Sequence, residues 1–235
     1  MKLKTYTLPI LMAIASCKPS NNHDLQISWN DNLTLPSLPK DSVNPGLAGA
    51  FSAVLNNHLI IAGGANFPDG LPWEGGKKFY HDEVYVFNNE NGNWKFNNIS
   101  HLQDTLGYGA AVIIDSGMVC LGGENENGIS SNALLLKYDS VKRKITTSNL
   151  ASLPIPLTNL SAVSFENKIF IAGGATSDSV SDRMFELDCN NSTPEWKELA
   201  PLPKPLTNFL MVKLGDQIFA IGGRCIKPDG ISELY

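Results

Sequence analysis

The chain has 235 residues, a formal net charge of −5 and a charged share of 17%, low against an average of about 25%. So few basic residues argue against binding to nucleic acid, which takes clustered Lys and Arg on one face. The 20 glycines and 14 prolines argue against a helical bundle and for many tight turns.

In chain order, Lys2 and Lys4 precede an apolar run from Tyr6 to Ala15 that is too short to span a bilayer as a mature helix. Residues 1–17 therefore read as an export signal. The string Ile14-Ala15-Ser16-Cys17 has the layout of a bacterial lipobox, in which Cys17 is lipidated and becomes the mature N-terminus. An ordinary signal peptide cleaved nearby is the alternative. Residues 18–24 are polar and read as a tether. The expected location is the cell envelope or periplasm, with the membrane touched only through the N-terminal lipid.

From residue 25 onward the chain repeats itself. Short apolar runs end in a double glycine at Gly63-Gly64, Gly122-Gly123, Gly173-Gly174 and Gly222-Gly223, with first glycines 59, 51 and 49 residues apart. A period of about 50 residues is that of kelch repeats, each a four-stranded propeller blade. Other features keep the same phase: Ile145 and Trp196 each lie 23 residues after a first glycine, and Trp94 lies 31 after Gly63. Each repeat reads as strand a (Ser161–Phe165 in one), a turn, strand b ending in Gly-Gly, strand c (Glu83–Phe87 in another), and strand d starting near the tryptophan. The b strands are nearly continuous apolar runs, as expected for strands covered on both faces by neighbouring blades. Gly-Gly leaves no side chain where strands crowd or bend.

The fold expected for residues 25–235 is thus all-β, a kelch-type β-propeller. Trp29 and the stretch Leu35–Pro39 read as a lone strand d, and Ile231–Tyr235 as the start of a strand c. A six-bladed ring needs about 300 residues at this period, so the expectation is an incomplete ring of about four blades, shortened at its C-terminus.

Sites on such a scaffold belong to loops. The connection between strands b and c of the first blade is the longest, and Asn66, Trp73, Glu74 and Lys77 stand out in its Gly-, Pro- and aromatic-rich run Ala65–Tyr80. Aligned on the double glycine, Gly49, Tyr108, Asn159 and Asn208 each stand 14 residues before it, and Ala65, Glu124, Ala175 and Arg224 directly after it. Equal phase aims equivalent side chains alike, so the expectation is that these positions and the insertion crowd one mouth of the propeller. His81-Asp82-Glu83 reads as a strand entry whose side chains point alternately apart, and His101 lacks a visible partner. Cys120 reads as a buried hydrophobe. No spacing for a metal site, a P-loop or a Ser-His-Asp triad is present.

The segment Pro45–Phe51, then Ile61–Asp69 and Pro72–Lys78, followed by Tyr108-Gly109 and Leu121–Glu124, resembles the bacterial N-acetylneuraminate epimerases, or sialic acid mutarotases, in their cyclically permuted branch. The resemblance implies a cofactor-free isomerase that interconverts the α and β anomers of N-acetylneuraminic acid. It places the family's general base in a Gly-Glu-x-Lys-x-Gly-x-Arg-like segment that the permuted order puts beyond Tyr235; of the residues present, Glu124 holds the same kind of position in another blade. Amides such as Asn66, Asn159 and Asn208 suit the N-acetyl and hydroxyl groups, and Arg224 suits the sugar carboxylate. The competing expectation is a non-catalytic kelch module that grips a glycan or a protein with the same face.

Overall fold

The computed structural model describes residues 33–36, 44–226 and 232–234. Cys17, the tether at 18–24 and Trp29 lie outside the described residues. Leu33–Pro36, within the stretch expected as the lone strand d, form no strand.

Three four-stranded antiparallel blades follow one another. Blade one has strands a to d at Phe51–Leu55, His58–Ala62, Glu83–Glu90 and Asn93–His101. Blade two has them at Ala110–Ile114, Gly117–Leu121, Ala133–Asp139 and Lys144–Asn149, and blade three at Ser161–Phe165, Lys168–Ala172, Met184–Asp188 and Trp196–Glu198. Leu210–Leu214 and Gln217–Ile221 pair as strands a and b of a fourth. Each strand a lies against the strand a of the next blade, so these strands form the inner wall. The chain has the kelch-type propeller architecture that its repeats announce.

The cores lie between blades, which explains the unbroken apolar runs. Strand b of blade two is buried at all five positions, Gly117–Leu121. Side chains on a strand alternate between its faces. Met118 and Cys120 accordingly pack in the core shared with blade one, and Val119 and Leu121 in the core shared with blade three. Strand c does the same, with Leu134 and Leu136 on one side and Ala133 and Leu135 on the other. Burial of the Cys120 side chain pushes its thiol pKa up, so it is a core hydrophobe rather than a nucleophile.

The double glycines join one blade to the next. The N–H of Gly64, Gly123 and Gly174 donates to the carbonyl of Leu106, Leu157 and Leu206 respectively, each time at 2.8 Å. The preceding glycines, Gly63, Gly122 and Gly173, have φ of 60°, 61° and 61°, and a Cβ on them would lie 2.1, 2.3 and 2.3 Å from those same carbonyl oxygens. Left-handed backbone and the neighbouring blade's carbonyl together demand glycine.

Three local expectations need correction. Ser232–Leu234 does not add to strand b as a strand c; it pairs with Arg224–Ile226, directly after the fourth double glycine. The same small ladder rises after the first two double glycines, as Ala65–Asn66 with Phe79–Tyr80 and Glu124–Asn125 with Gly128–Ile129. His81 and Glu83 do not diverge: two residues apart on an extended chain, they share a face, and His81 Nδ1 lies 3.1 Å from Glu83 Oε2 with His81 buried. His101 has a partner, Asp82, at 3.2 Å across the strands.

Candidate functional site at the propeller mouth

The four residues that stand 14 positions before the double glycines share one unusual backbone state. Gly49, Tyr108, Asn159 and Asn208 have φ of 63°, 59°, 52° and 55°. Their peptides form a chain around the inner wall. The N–H of Tyr108 donates to Gly49 O at 2.8 Å, that of Asn159 to Tyr108 O at 2.7 Å, and that of Asn208 to Asn159 O at 3.1 Å. The buried hydroxyls of Thr158 and Thr207 add bonds to Tyr108 O and Asn159 O, each at 3.1 Å. Glycine and asparagine tolerate this conformation, whereas for a tyrosine it is strained by about 1–2 kcal/mol.

The positions after the double glycines are fixed by the same frame. Glu124 exchanges backbone bonds with Gly107 at 2.8 and 3.0 Å, and Arg224 does so with Thr207 at 2.8 and 2.9 Å. Each rim side chain is thus anchored beside a belt residue. Lys78, Tyr108, Glu124, Asn159, Asn208 and Arg224 together line an open cleft of about 630 Å³.

Inside the cleft, one carboxylate is held from one side. Glu124 Oε1 accepts a 2.7 Å bond from the Tyr80 hydroxyl and a 3.4 Å bond from Lys78 Nζ. No donor among the described residues reaches Oε2. Lys78 Nζ also lies 4.6 Å from the centre of the Tyr108 ring and 5.3 Å from that of Tyr80. Burial works against its charge, but the hydroxyl of Tyr80 and the charges nearby outweigh it and hold the Lys78 pKa above the ordinary value. Burial and the bond to Glu124 raise the Tyr80 pKa, so Tyr80 stays a protonated donor. Arg224 lines the same cleft. The arrangement offers an open carboxylate oxygen, two cations and two amides to a small polar ligand. Among the described residues no group of three or more His, Cys, Asp or Glu side chains could hold a metal ion.

The structure therefore gathers Tyr108, Glu124, Asn159, Asn208 and Arg224 as the repeat phase places them. The insertion contributes differently. Asn66 does not line the cleft; its Nδ2 donates to Gly46 O at 3.1 Å, and its Oδ1 is buried without a partner among the described residues. Trp73 is 79% exposed on a 3-10 turn, Pro72–Glu74. The Glu74 carboxylate accepts from the Leu71 N–H at 3.1 Å. Lys77 is exposed; Lys78 instead lines the cleft, and Tyr80 reaches it through its bond to Glu124. The signal was the alternation Lys77-Lys78-Phe79-Tyr80: on an extended arm, residues 78 and 80 share one face and 77 and 79 the other. Tyr80 is paired with Ala65, the blade-one equivalent of Glu124, which sets it beside the rim.

A family model described as N-acetylneuraminate epimerase matches residues 13–145, more than half of the chain. The chain belongs to the N-acetylneuraminate epimerase family. A Kelch motif matches residues 156–203. The chain is 34% identical over 128 residues to the N-acetylneuraminate epimerase of Pasteurella multocida (strain Pm70), a match covering 49% of this chain and 33% of that relative. It is 33% identical over 129 residues to that of Haemophilus influenzae (strain PittEE), covering 51% and 33%. The matched stretch thus spans a third of the length of these epimerases. The solved structure of YjhT superposes with a TM-score of 0.64 at 17% identity, covering 79% of this chain and 62% of that one. At that identity the likeness speaks for the fold alone.

Proposed function

We propose that the epimerase-family chain is a sialic acid mutarotase whose cleft exchanges the α and β anomers of N-acetylneuraminic acid by general acid/base ring opening. The observation that carries this reading is the meeting, in one cleft, of Glu124, Lys78, Arg224 and the amides of Asn159 and Asn208. The names of the relatives at 33–34% identity support the same substrate.

The chemistry asks little of a protein. A base takes the proton of the anomeric hydroxyl, the bond from the anomeric carbon to the ring oxygen breaks with its electron pair, and that oxygen takes a proton from water in the open cleft. The carbonyl carbon so formed turns and is attacked on its other face by the same hydroxyl, returning both protons. The open Oε2 of Glu124 suits the base. Arg224 suits the sugar carboxylate, because a guanidinium grips it through two parallel bonds. Asn159 and Asn208, linked Nδ2 to Oδ1 at 3.0 Å, suit the N-acetyl and hydroxyl groups.

Proton NMR of freshly released α-anomer, with and without protein, tests the reading. Faster approach to anomeric equilibrium is expected; sugar that binds at the cleft yet exchanges at the solvent rate would favour the binding module instead. We also propose export and lipidation at Cys17, on the lipobox order Ile14-Ala15-Ser16-Cys17. Fatty-acid labelling in a bacterial host should tag the protein and miss Cys17→Ser, and equal labelling of both would sink the proposal.

A further inference from the structure

We propose that Tyr108 is a positioning residue, kept in a strained backbone state so that its ring fixes the Lys78 ammonium at the cleft as a second cation, beside Arg224, for the carboxylate of an acidic sugar. This rests on the reading of the cleft as a sialic acid site and names the part that selects for charge.

The argument begins with the backbone. Of the four belt positions, three carry Gly49, Asn159 and Asn208, residues that enter the left-handed region readily. Tyr108, at φ 59°, is the exception. The belt makes no use of its side chain, since it runs through the Tyr108 N–H and carbonyl. An asparagine there would keep every belt bond and remove the strain. Strained residues persist where something else selects them, and an observed outlier is a reason to ask what its side chain does.

Two neighbours are adapted to this ring. A Cβ on Gly49 would lie 2.5 Å from Tyr108 Cδ1, so blade one leaves its own belt position bare to make room. Lys78 Nζ sits 4.6 Å from the ring centre, with the Tyr80 ring edge-on to Tyr108 and Glu124 Oε1 3.4 Å from the ammonium. A lysine side chain carries much rotamer freedom, and a half-exposed ion pair alone restrains it weakly. The aromatic face adds a cation–π attraction that holds the ammonium at one point of the rim. A fixed cation discriminates acidic from neutral sugars; a wandering one does so less, because its ordering must accompany binding.

The test combines thermal unfolding with binding titrations on the full chain, using N-acetylneuraminic acid, glucuronic acid and neutral N-acetylmannosamine. Tyr108→Asn should raise the melting temperature by about 2–4 °C. It should also weaken both acids about five- to tenfold while leaving the neutral sugar's response alone. Lys78→Met should show the same selective loss, the double variant little more than either single one, and Tyr108→Phe should restore most of the affinity. A lowered melting temperature in Tyr108→Asn would overturn the proposal, since the ring would then be structural. So would equal weakening of acidic and neutral sugars, or unchanged affinity for the acids. If glucuronic acid binds in a Lys78- and Tyr108-dependent way and N-acetylneuraminic acid does not, the substrate reading falls and this inference stands. Failure of the wild type to bind either acid overturns both.

Discussion

Gly122→Ala is expected to melt far below the wild type. Two costs fall on the same atom. At φ 61° an added Cβ brings the left-handed penalty of about 1–2 kcal/mol. It would also stand 2.3 Å from the Leu157 carbonyl oxygen, which cannot retreat because it accepts the Gly123 N–H at 2.8 Å. Moving that carbonyl breaks the tie between blades two and three and disturbs Leu153 and Leu160, whose side chains flank the site in the shared core. Together these reach more than about 3 kcal/mol, a large part of a typical domain stability of about 5–15 kcal/mol. Gly92→Ala is the control. Gly92 has φ 88° in the turn between strands c and d of blade one, and a Cβ there would meet nothing within 4 Å. Its cost should be the backbone alone, about 1 kcal/mol. Circular dichroism melts of the two variants against wild type decide the matter, and similar melting temperatures for both would show that the double glycine is not the joint described above.

That joint was half legible in the sequence. The recurrence of Gly-Gly after apolar runs fixes the blade period and says that a side chain is forbidden, because a repeat can be counted along the chain. Which atom forbids it depends on the next blade and cannot be counted: Leu106, Leu157 and Leu206 lie between 33 and 43 residues downstream of the glycines they touch. The rim shows the same division. Tyr108, Asn159 and Asn208 share a phase, so their convergence follows from the repeat; their common left-handed backbone and hydrogen-bonded belt do not, since nothing local distinguishes Tyr108 from an ordinary strand-edge tyrosine. The insertion breaks the period and so loses this guide. Trp73 and Glu74, its most conspicuous residues, sit on an exposed 3-10 turn, while the return arm that pairs Tyr80 with Ala65 carries Lys78 to the cleft. Ladder register in a loop is settled by partners far along the chain, and here only the alternation of residues 77 to 80 hinted at it.

Glu124→Gln should lower the rate of anomer exchange by about 10²-fold or more while leaving the fold intact. The substitution keeps shape and one acceptor oxygen, so the Tyr80 hydroxyl retains its partner and the backbone bonds to Gly107 are untouched. What it removes is basicity at Oε2, the oxygen with no donor of its own among the described residues, and general base catalysis contributes typically about 10²–10⁴-fold. Glu124 has a second duty as the counter-charge of Lys78, and the two duties separate kinetically. If the carboxylate only holds the lysine, Glu124→Gln weakens the acidic sugar and raises KM with kcat nearly unchanged. If it takes the anomeric proton, kcat falls. Tyr80→Phe divides the cases further, because it frees Oε1 without abolishing the charge. A carboxylate less well oriented but still basic should cost much less than Glu124→Gln, on the order of tenfold or below. Exchange measured by NMR across a range of sugar concentrations gives both constants. A kcat for Glu124→Gln within a factor of two or three of wild type would remove Glu124 as the base and leave the cleft a binding site whose proton acceptor lies elsewhere.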